Sequence, residues 1–245
     1  MLAQLLKCET RLFFRNFINA FFCLIFPPAM ILLFGGIYGN EPSEVYMGKG
    51  MVDVSVPAYF ALILSVTAFM SVPMTLSEYR EKKFLKRYIA TPLNKRNILI
   101  SIFTVNLITT LLGMVLLFIT AKIKYNIKFE GNPFLFAACL ILSIATMYLL
   151  GLLLSNIGRN IKNTNTLCYC VFFPMLFLSG ATIPKELFPS TVSKIAKVVP
   201  LGHVVDVLKV SWLESNLNNC KSGLVFLMVS LVVCLILNLV LFKWE

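Results

Sequence analysis

Residues 54–77 read VSVPAYFALILSVTAFMSVPMTLS, an unbroken run without a charged side chain. Built as an α-helix with a rise of about 1.5 Å per residue, such a run crosses the hydrocarbon core of a bilayer, which is about 30 Å thick. In lipid, backbone N–H and C=O groups have to be paired within their own segment, so a helix is the expected form. The alternating pattern of a membrane β-barrel is not visible. The run therefore predicts a transmembrane helix.

Similar charge-free runs lie on both sides of this one, separated by short charged segments. They predict an all-α membrane protein in which residues 1–245 form a single transmembrane domain. The predicted spans lie at about 17–38, 57–77, 97–120, 134–156, 165–183 and 222–242.

The composition agrees with a membrane protein and excludes a soluble one. The chain is 58% hydrophobic and 13% charged, its mean hydropathy is +0.84, and soluble domains contain about 25% charged residues. The net charge of +11 is carried by the loops, where it suits anionic lipid headgroups or a cytosolic partner better than nucleic acid. Most of the seven cysteines lie inside apolar runs and His203 is the only histidine, so neither a disulfide framework nor a metal site is expected.

The distribution of Lys and Arg predicts the orientation of the chain. With the N-terminus in the cytoplasm, the cytoplasmic segments hold more basic residues than the opposite side, as the positive-inside rule requires. Both termini are then cytoplasmic. Residues 1–15 place leucines near one helical face and basic residues on another, which predicts an interfacial amphipathic helix. An ordinary basic topology anchor is the alternative.

The segment between the second and third spans, residues 77–97, is predicted to hold a short cytoplasmic helix. Glu78 and Lys82 are spaced i,i+4 in the favourable order, and Pro92 ends the helix while it biases Thr91 toward extended geometry. A helix with an aromatic face and a densely charged face is a docking surface. The alternative is that its basic residues only fix topology and bind anionic lipid.

A second unusual segment, residues 177–214, follows the fifth span and is too interrupted by proline to be one helix. It predicts short outer half-helices within 186–214. Half-helices at membrane depth need protein or a water-filled cavity to cover their free backbone groups. They are candidate walls or gates of a pathway, and a plain outer lid is the alternative.

The two segments, in this order within six spans, resemble those of type-2 ABC transporter permeases, a family of bacterial drug, peptide and polysaccharide exporters. The resemblance covers nearly the whole chain. The family pattern between spans two and three is matched by Arg80, Glu81, Leu85, Thr91 and Pro92, with departures at Lys83, Phe84 and Tyr88. The outer pattern is matched by Phe177, Leu178, Ser179, Gly180, Pro184, Pro189, Pro200, Leu201, Asp206 and Lys209.

The resemblance implies a division of labour between this chain and an ATPase. Residues 78–91 would be the coupling helix, seated on a separate nucleotide-binding ABC ATPase through Glu78, Arg80 and Glu81. Two ATPase copies that bind ATP and Mg would serve this chain and a second permease chain, identical or related. The location implied is the bacterial plasma membrane.

The chain itself carries no phosphate-binding G-x-x-x-x-G-K-[ST] motif and no nucleophile–base constellation, so it is not expected to be an enzyme. The uncharged spans favour a drug, a peptide or another amphiphile as substrate over a bare ion. Export of polysaccharide or of a lipid-linked molecule is the alternative within the family. From other classes, an ATP-independent secondary transporter or channel would require buried ionisable residues or inverted repeats, and a membrane-anchored enzyme would require a catalytic cluster.

Overall fold

The computed structural model describes residues 2–42, 48–82, 95–158, 160–181, 189–214 and 216–241, and nearly all of them are helical. The helices are α1 (Leu2–Arg15), α2 (Phe17–Tyr38), α3 (Met51–Glu81), α4 (Lys95–Tyr125), α5 (Pro133–Ile157), α6 (Ile161–Leu178), α7 (Ser190–Ala196), α8 (Pro200–Leu213) and α9 (Lys221–Leu241). A single 3-10 turn, Leu217–Cys220, leads into α9.

Five of the described helices are long and apolar enough to cross a membrane: α2, α3, α4, α5 and the chain from Asn218 through α9. The span predicted at 165–183 corresponds to α6, which is not among these five. Its first two turns hold Lys162, Asn163 and Asn165, and these polar side chains lower its hydropathy. The protein is thus an all-helical membrane protein with several apolar spans.

Helix α3 lies at the centre of the bundle. In its most apolar stretch 89% of the residues are buried, against 22% for α2 and 17% for the span that includes α9. It packs against α2, α4, α5, α6 and α8. The outer helices keep large apolar side chains on their free faces, as Leu112 and Val115 on α4 and Val229 and Val232 on α9 illustrate. Such surfaces suit lipid.

The C-terminal end of α3 extends beyond the boundary predicted at residue 77. The helix continues without interruption to Glu81, and Glu78, Arg80 and Glu81 therefore lie on the last turns of a spanning helix. No proline or glycine separates Met74 from Lys82, so nothing in the sequence ends the helix earlier. The rest of the predicted coupling helix, from residue 83, lies outside the described residues.

Two of the spans each contain one π-helical segment, Phe21–Ile25 in α2 and Thr67–Ser71 in α3. The N–H groups of Phe26 and Val72 bond five residues back, to the carbonyl groups of Phe21 and Thr67. Each segment is followed by proline, at Pro27 and Pro28 in α2 and at Pro73 in α3. Proline has no N–H and its ring clashes with the preceding turn, which favours a locally widened helix.

A glycine of a neighbouring helix approaches each widened turn closely. A Cβ atom on Gly113 of α4 would lie 2.6 Å from the carbonyl oxygen of Cys23, and one on Gly151 of α5 would lie 1.9 Å from that of Ala68. Any larger side chain would collide with backbone at these positions. The two glycines let α4 and α5 cross the π segments at short distance, as small residues commonly do in membrane bundles.

Helix α8 lies inside the bundle, where it packs against α3, α5 and α9. Leu201, Val204, Val207 and Leu208 are each completely buried. Its last turn places Trp212 among four phenylalanine rings at centroid distances of 4.9–6.0 Å. These rings belong to Phe60, Phe118, Phe129 and Phe136. The helix therefore forms part of the core at the far end of the bundle from α1.

Candidate functional site

The last turn of α3 joins three helices through charged and hydroxyl side chains. Arg80 donates through Nη1 to the backbone oxygen of Ser155 at 2.8 Å and through Nη2 to Oδ1 of Asn156 at 2.6 Å. A guanidinium at the last carbonyls of α5 suits the negative end of that helix. Arg80 thereby fixes the end of α3 to the end of α5.

Glu81 points toward the beginning of α6. Its Oε2 accepts a hydrogen bond from the backbone N–H of Ile161 at 2.7 Å. The first N–H groups of a helix have no partner within it, and a carboxylate there is also favoured by the helix dipole. Asn160 completes this capping, since its Oδ1 accepts from the N–H of Asn163 at 2.7 Å. Glu81 therefore has a structural contact within the chain.

A buried set of hydroxyl groups lies one turn deeper. Ser77 Oγ is 2.8 Å from Thr164 Oγ1 and 3.3 Å from Ser155 Oγ, so α3, α5 and α6 share one polar cluster. Gly158 lies against it, and a Cβ atom there would be 2.0 Å from Thr164 Oγ1. The polar contacts continue to α9, because Asn156 Nδ2 donates to Asn238 Oδ1 at 2.7 Å. The end of α3 is therefore hydrogen-bonded to both α5 and α6.

Of the predicted coupling residues, Glu78 is the one whose described contact remains within α3. It is half-buried and forms an i,i+4 ion pair with the exposed Lys82. Leu85, Thr91 and Pro92 lie outside the described residues, as do the departures at Lys83, Phe84 and Tyr88. The structure thus brings Arg80 and Glu81 together at the junction of α5 and α6.

Helix α1 is docked against α3 through a buried acid. Tyr79 donates its hydroxyl proton to Glu9 Oε1 at 2.5 Å, and Glu9 and Phe13, one turn apart, are both buried. Burial raises the pKa of Glu9, the hydrogen bond from Tyr79 lowers it, and the charge of Glu78 raises it further. The sequence holds a signal for this contact, since Glu9 is spaced i,i+4 from both Leu5 and Phe13 on the apolar face of α1.

A cavity of about 580 Å³ opens beside this contact, between α1, the end of α3 and α4. It reaches Asn19 in the first turn of α2 and Asn106 in α4, two polar side chains that are almost completely buried. Neither residue was predicted from the sequence to be functional. Isolated asparagines within apolar runs give the available signal, because a polar side chain at membrane depth usually needs a partner.

The predicted outer residues lie along the turns that lead into α8. Gly180 adopts φ +83°, a left-handed conformation that favours glycine, directly after α6. Ser179 Oγ accepts from the N–H of Ala181 at 3.1 Å and donates to the backbone oxygen of Leu176 at 2.8 Å. Pro184 lies outside the described residues.

Two prolines begin the helices of this region. Pro189 is the residue before α7, and Pro200 is the first residue of α8, where its missing N–H costs no hydrogen bond. Asp206 and Lys209 lie three residues apart on α8 and are half-buried. The structure therefore places these residues on one connected segment that leads from α6 through α7 into α8.

A polar chain in the middle of the bundle joins three spans. Thr110 Oγ1 lies 2.8 Å from Thr67 Oγ1 and 2.8 Å from the hydroxyl of Tyr148, and the three residues are buried. Thr67 begins the π segment of α3, so the chain of hydroxyl groups ties the widened turn to α4 and α5. Within the described residues no three His, Cys, Asp or Glu side chains are grouped to hold a metal ion.

The comparisons with known proteins agree with a transport role. The sequence profile of the family described as ABC-2 type transporter matches residues 2–213. A protein named as a transport permease, ycf38 of Porphyra purpurea, is 25% identical over 222 residues, which cover 83% of this chain and 76% of that protein.

Two proteins of Escherichia coli (strain K12) are also similar to this chain. The inner membrane transport permease YhhJ is 25% identical over 158 residues, and these cover 62% of this chain and 42% of YhhJ. YbhR, named as a multidrug ABC transporter permease, is 22% identical over 159 residues, which cover 65% of this chain and 43% of YbhR. The alignments therefore span less than half of either bacterial relative.

Proposed function

This chain belongs to the ABC-2 type transporter family, and on that premise we propose that it is the membrane subunit of an ATP-driven exporter whose ATPase is a separate protein. The observation that supports this proposal most directly is the set of hydrogen bonds at the end of α3. This helix is the most buried of the spans, and its last turn bonds to α5 through Arg80 and to α6 through Glu81. A partner that displaced this turn would move three helices at once.

In this proposal the ATPase binds ATP and Mg, in two copies, and this chain pairs with a second permease chain. The segment that follows Lys82 would be the coupling element. Helix α6 would be the sixth span, with its polar first turns at the membrane surface. Both termini would face the cytoplasm of a bacterial cell, with α1 in the interface.

A drug, a peptide or another amphiphile remains our proposed substrate, with polysaccharide or a lipid-linked molecule as the alternative within the family. The name of YbhR, a multidrug permease, supports the first choice. The described spans hold Ser, Thr, Tyr and Asn side chains at depth, as in the chain Thr67–Thr110–Tyr148. An ATP-independent transporter or channel would instead be expected to place a cluster of ionisable residues there.

The structure changes which variant tests the coupling hypothesis. Substitutions at Arg80 or Glu81 would disturb contacts within the chain and could not separate folding from partner binding. The exchange Glu78→Lys with Lys82→Glu preserves an i,i+4 ion pair, at a cost of only a few tenths of a kcal/mol for the reversed order. It reverses the charges presented at the end of α3. Insertion should remain unchanged, and the Tm of the variant is compared with that of the wild type because Glu78 also acts on the buried Glu9.

We expect the exchanged variant to bind the cognate ATPase more weakly and to lose efflux per inserted protein. A pull-down of the ATPase and an efflux assay in the native host measure the two effects. Lys124→Glu, at the opposite end of α4, is the control and should retain both. Normal ATPase binding and normal efflux in the exchanged variant would refute the assignment of coupling to the end of α3.

A further inference from the structure

We propose that the cavity between α1, the end of α3 and α4 binds the head group of an aminophospholipid, with its primary ammonium toward Glu9 and Asn106 and its phosphate toward Arg15 and Lys82. This inference goes beyond the transport function and does not depend on the ATPase. It assigns a lipid of defined chemistry to a site on the subunit.

The size of the cavity indicates a molecular ligand. Its volume of about 580 Å³ lies within the range of about 300–1,000 Å³ typical of small-molecule sites. A single ion would leave most of this space empty. The apolar lining includes Leu12, Phe13, Met74 and Val105, and these side chains offer a surface for the glycerol region and the first methylene groups of a lipid.

Two buried polar side chains, Glu9 and Asn106, line the cavity. Glu9 is 5% exposed and its described partner is the neutral hydroxyl of Tyr79. Asn106 is 4% exposed. Its Nδ2 donates to the backbone oxygen of Ile102 at 2.8 Å, and its Oδ1 is buried without a hydrogen-bond partner in the described chain. A buried carboxylate and a buried unpaired carbonyl both gain from a ligand that is cationic and donates hydrogen bonds.

The rim of the cavity has the opposite charge. Arg15 and Lys82 line it and are both exposed, and Lys82 is paired there with Glu78. The charge pattern is thus acidic inside and basic at the mouth. A zwitterion that enters with its ammonium first and leaves its phosphate at the mouth matches this order. A quaternary ammonium has no N–H to offer Asn106, and a head group without an amine, such as that of phosphatidylglycerol, has no cation for Glu9.

The test measures binding of short-chain lipids to the purified, delipidated full-length chain by calorimetry. Dihexanoyl phosphatidylethanolamine should bind at least about tenfold more tightly than the corresponding phosphatidylcholine or phosphatidylglycerol, because hydrogen bonds to a charged group are worth that much. Free phosphoethanolamine is the second arm and should bind more weakly than the lipid. Equal binding of phosphatidylethanolamine and phosphatidylcholine would overturn the proposal, and so would no binding of either, which would indicate a cavity filled by water only.

Two variants then locate the site. Glu9→Gln and Asn106→Leu should each weaken binding of phosphatidylethanolamine by about tenfold and reduce its preference over phosphatidylcholine. Glu41→Gln, an exposed acid at the other end of the first span, is the matched control and should bind like the wild type. Unchanged affinity in both site variants would contradict the assignment.

Arg15→Gln, which leaves the inner part intact, should weaken binding of the lipid while binding of free ethanolamine is retained. Equal affinity for free phosphoethanolamine and the lipid would overturn the lipid assignment.

Discussion

The charged residues Arg80 and Glu81 at the end of α3 bond to other helices of this chain. Arg80 and Glu81 matched the family pattern and were predicted to bind the ATPase, whereas their described contacts lie within this chain. Sequence spacing places a charged residue on a helix, but the direction of its side chain depends on which helix ends are nearby. The ends of α5 and α6 are brought to α3 only by the folded bundle, so this contact could not be predicted from the sequence.

Glu9 gives a prediction that depends on pH. Burial raises its pKa above the ordinary value of 4.5, so between that value and the higher folded-state pKa the folded chain binds more protons than the unfolded chain. The contribution of Glu9 to stability is therefore fully present below pH 4.5 and is lost as the pH rises through the folded pKa. Glu9→Gln removes this loss and can still accept a hydrogen bond from Tyr79.

We therefore expect the delipidated Glu9→Gln variant to have a higher Tm than the wild type at neutral and alkaline pH, with the two curves converging below pH 4.5. Thermal unfolding in detergent across a pH series measures this difference. Glu41→Gln should follow the wild type throughout. A Glu9→Gln variant that is less stable than the wild type at neutral pH would show that the charged carboxylate is satisfied in the folded protein.

At the scale of elements, the apolar runs predicted the existence and approximate position of the helices but not their local geometry. The π segments Phe21–Ile25 and Thr67–Ser71 follow from proline chemistry, yet a proline inside a span can also produce a simple kink. Which form results depends on the neighbouring helix. Here Gly113 and Gly151 allow close approach, and that pairing is a property of the tertiary structure.

The close approach of α5 to the π segment of α3 can be tested by substitution of Gly151. Gly151→Ala places a methyl group 1.9 Å from the carbonyl oxygen of Ala68, so α5 and α3 have to separate. We expect a loss of about 1–3 kcal/mol of stability, typical of overpacking, even though alanine is the better helix former. Gly36→Ala is the matched control, because its nearest neighbouring atom, the Tyr125 hydroxyl, would be 3.9 Å away.

Unfolding by a denaturing detergent, followed by circular dichroism, measures both glycine variants. Gly36→Ala should be neutral or slightly stabilising. If Gly151→Ala proved as stable as Gly36→Ala, this result would contradict a close crossing of α5 over the π segment of α3.

For the whole molecule, composition and charge distribution were sufficient to predict an all-helical membrane protein. Composition and charge were insufficient to place α8 inside the bundle. The proline pattern predicted only that this segment forms a wall or gate of a pathway, or an outer lid. Its burial depends on Trp212 meeting Phe60, Phe118, Phe129 and Phe136, all of which lie far from Trp212 in the sequence. No local pattern connects them.

The proposed orientation is tested by thiol labelling of intact cells. Cys8 in α1 is exposed and should be cytoplasmic, so a membrane-impermeant maleimide should label it only after the cells are opened. In the same assay a Cys8→Ser, Glu41→Cys variant should react from outside, because the proposed orientation places the loop after α2 on the side away from the cytoplasm. Labelling of Cys8 in intact cells would contradict the proposed orientation and place the N-terminus outside the cell.

The enclosure of α3 also bears on how the chain is made. Ribosomes deliver α3 to the membrane early, whereas α5, α6 and α8, which cover it, are synthesised later. Until Pro200–Leu213 is in place, the face of Met51–Val66 that α8 covers, including Phe60 opposite Trp212, lies against lipid or the insertion machinery. We therefore expect a chain truncated before residue 200 to be degraded faster in the membrane than the full-length chain, because this part of the second span stays uncovered.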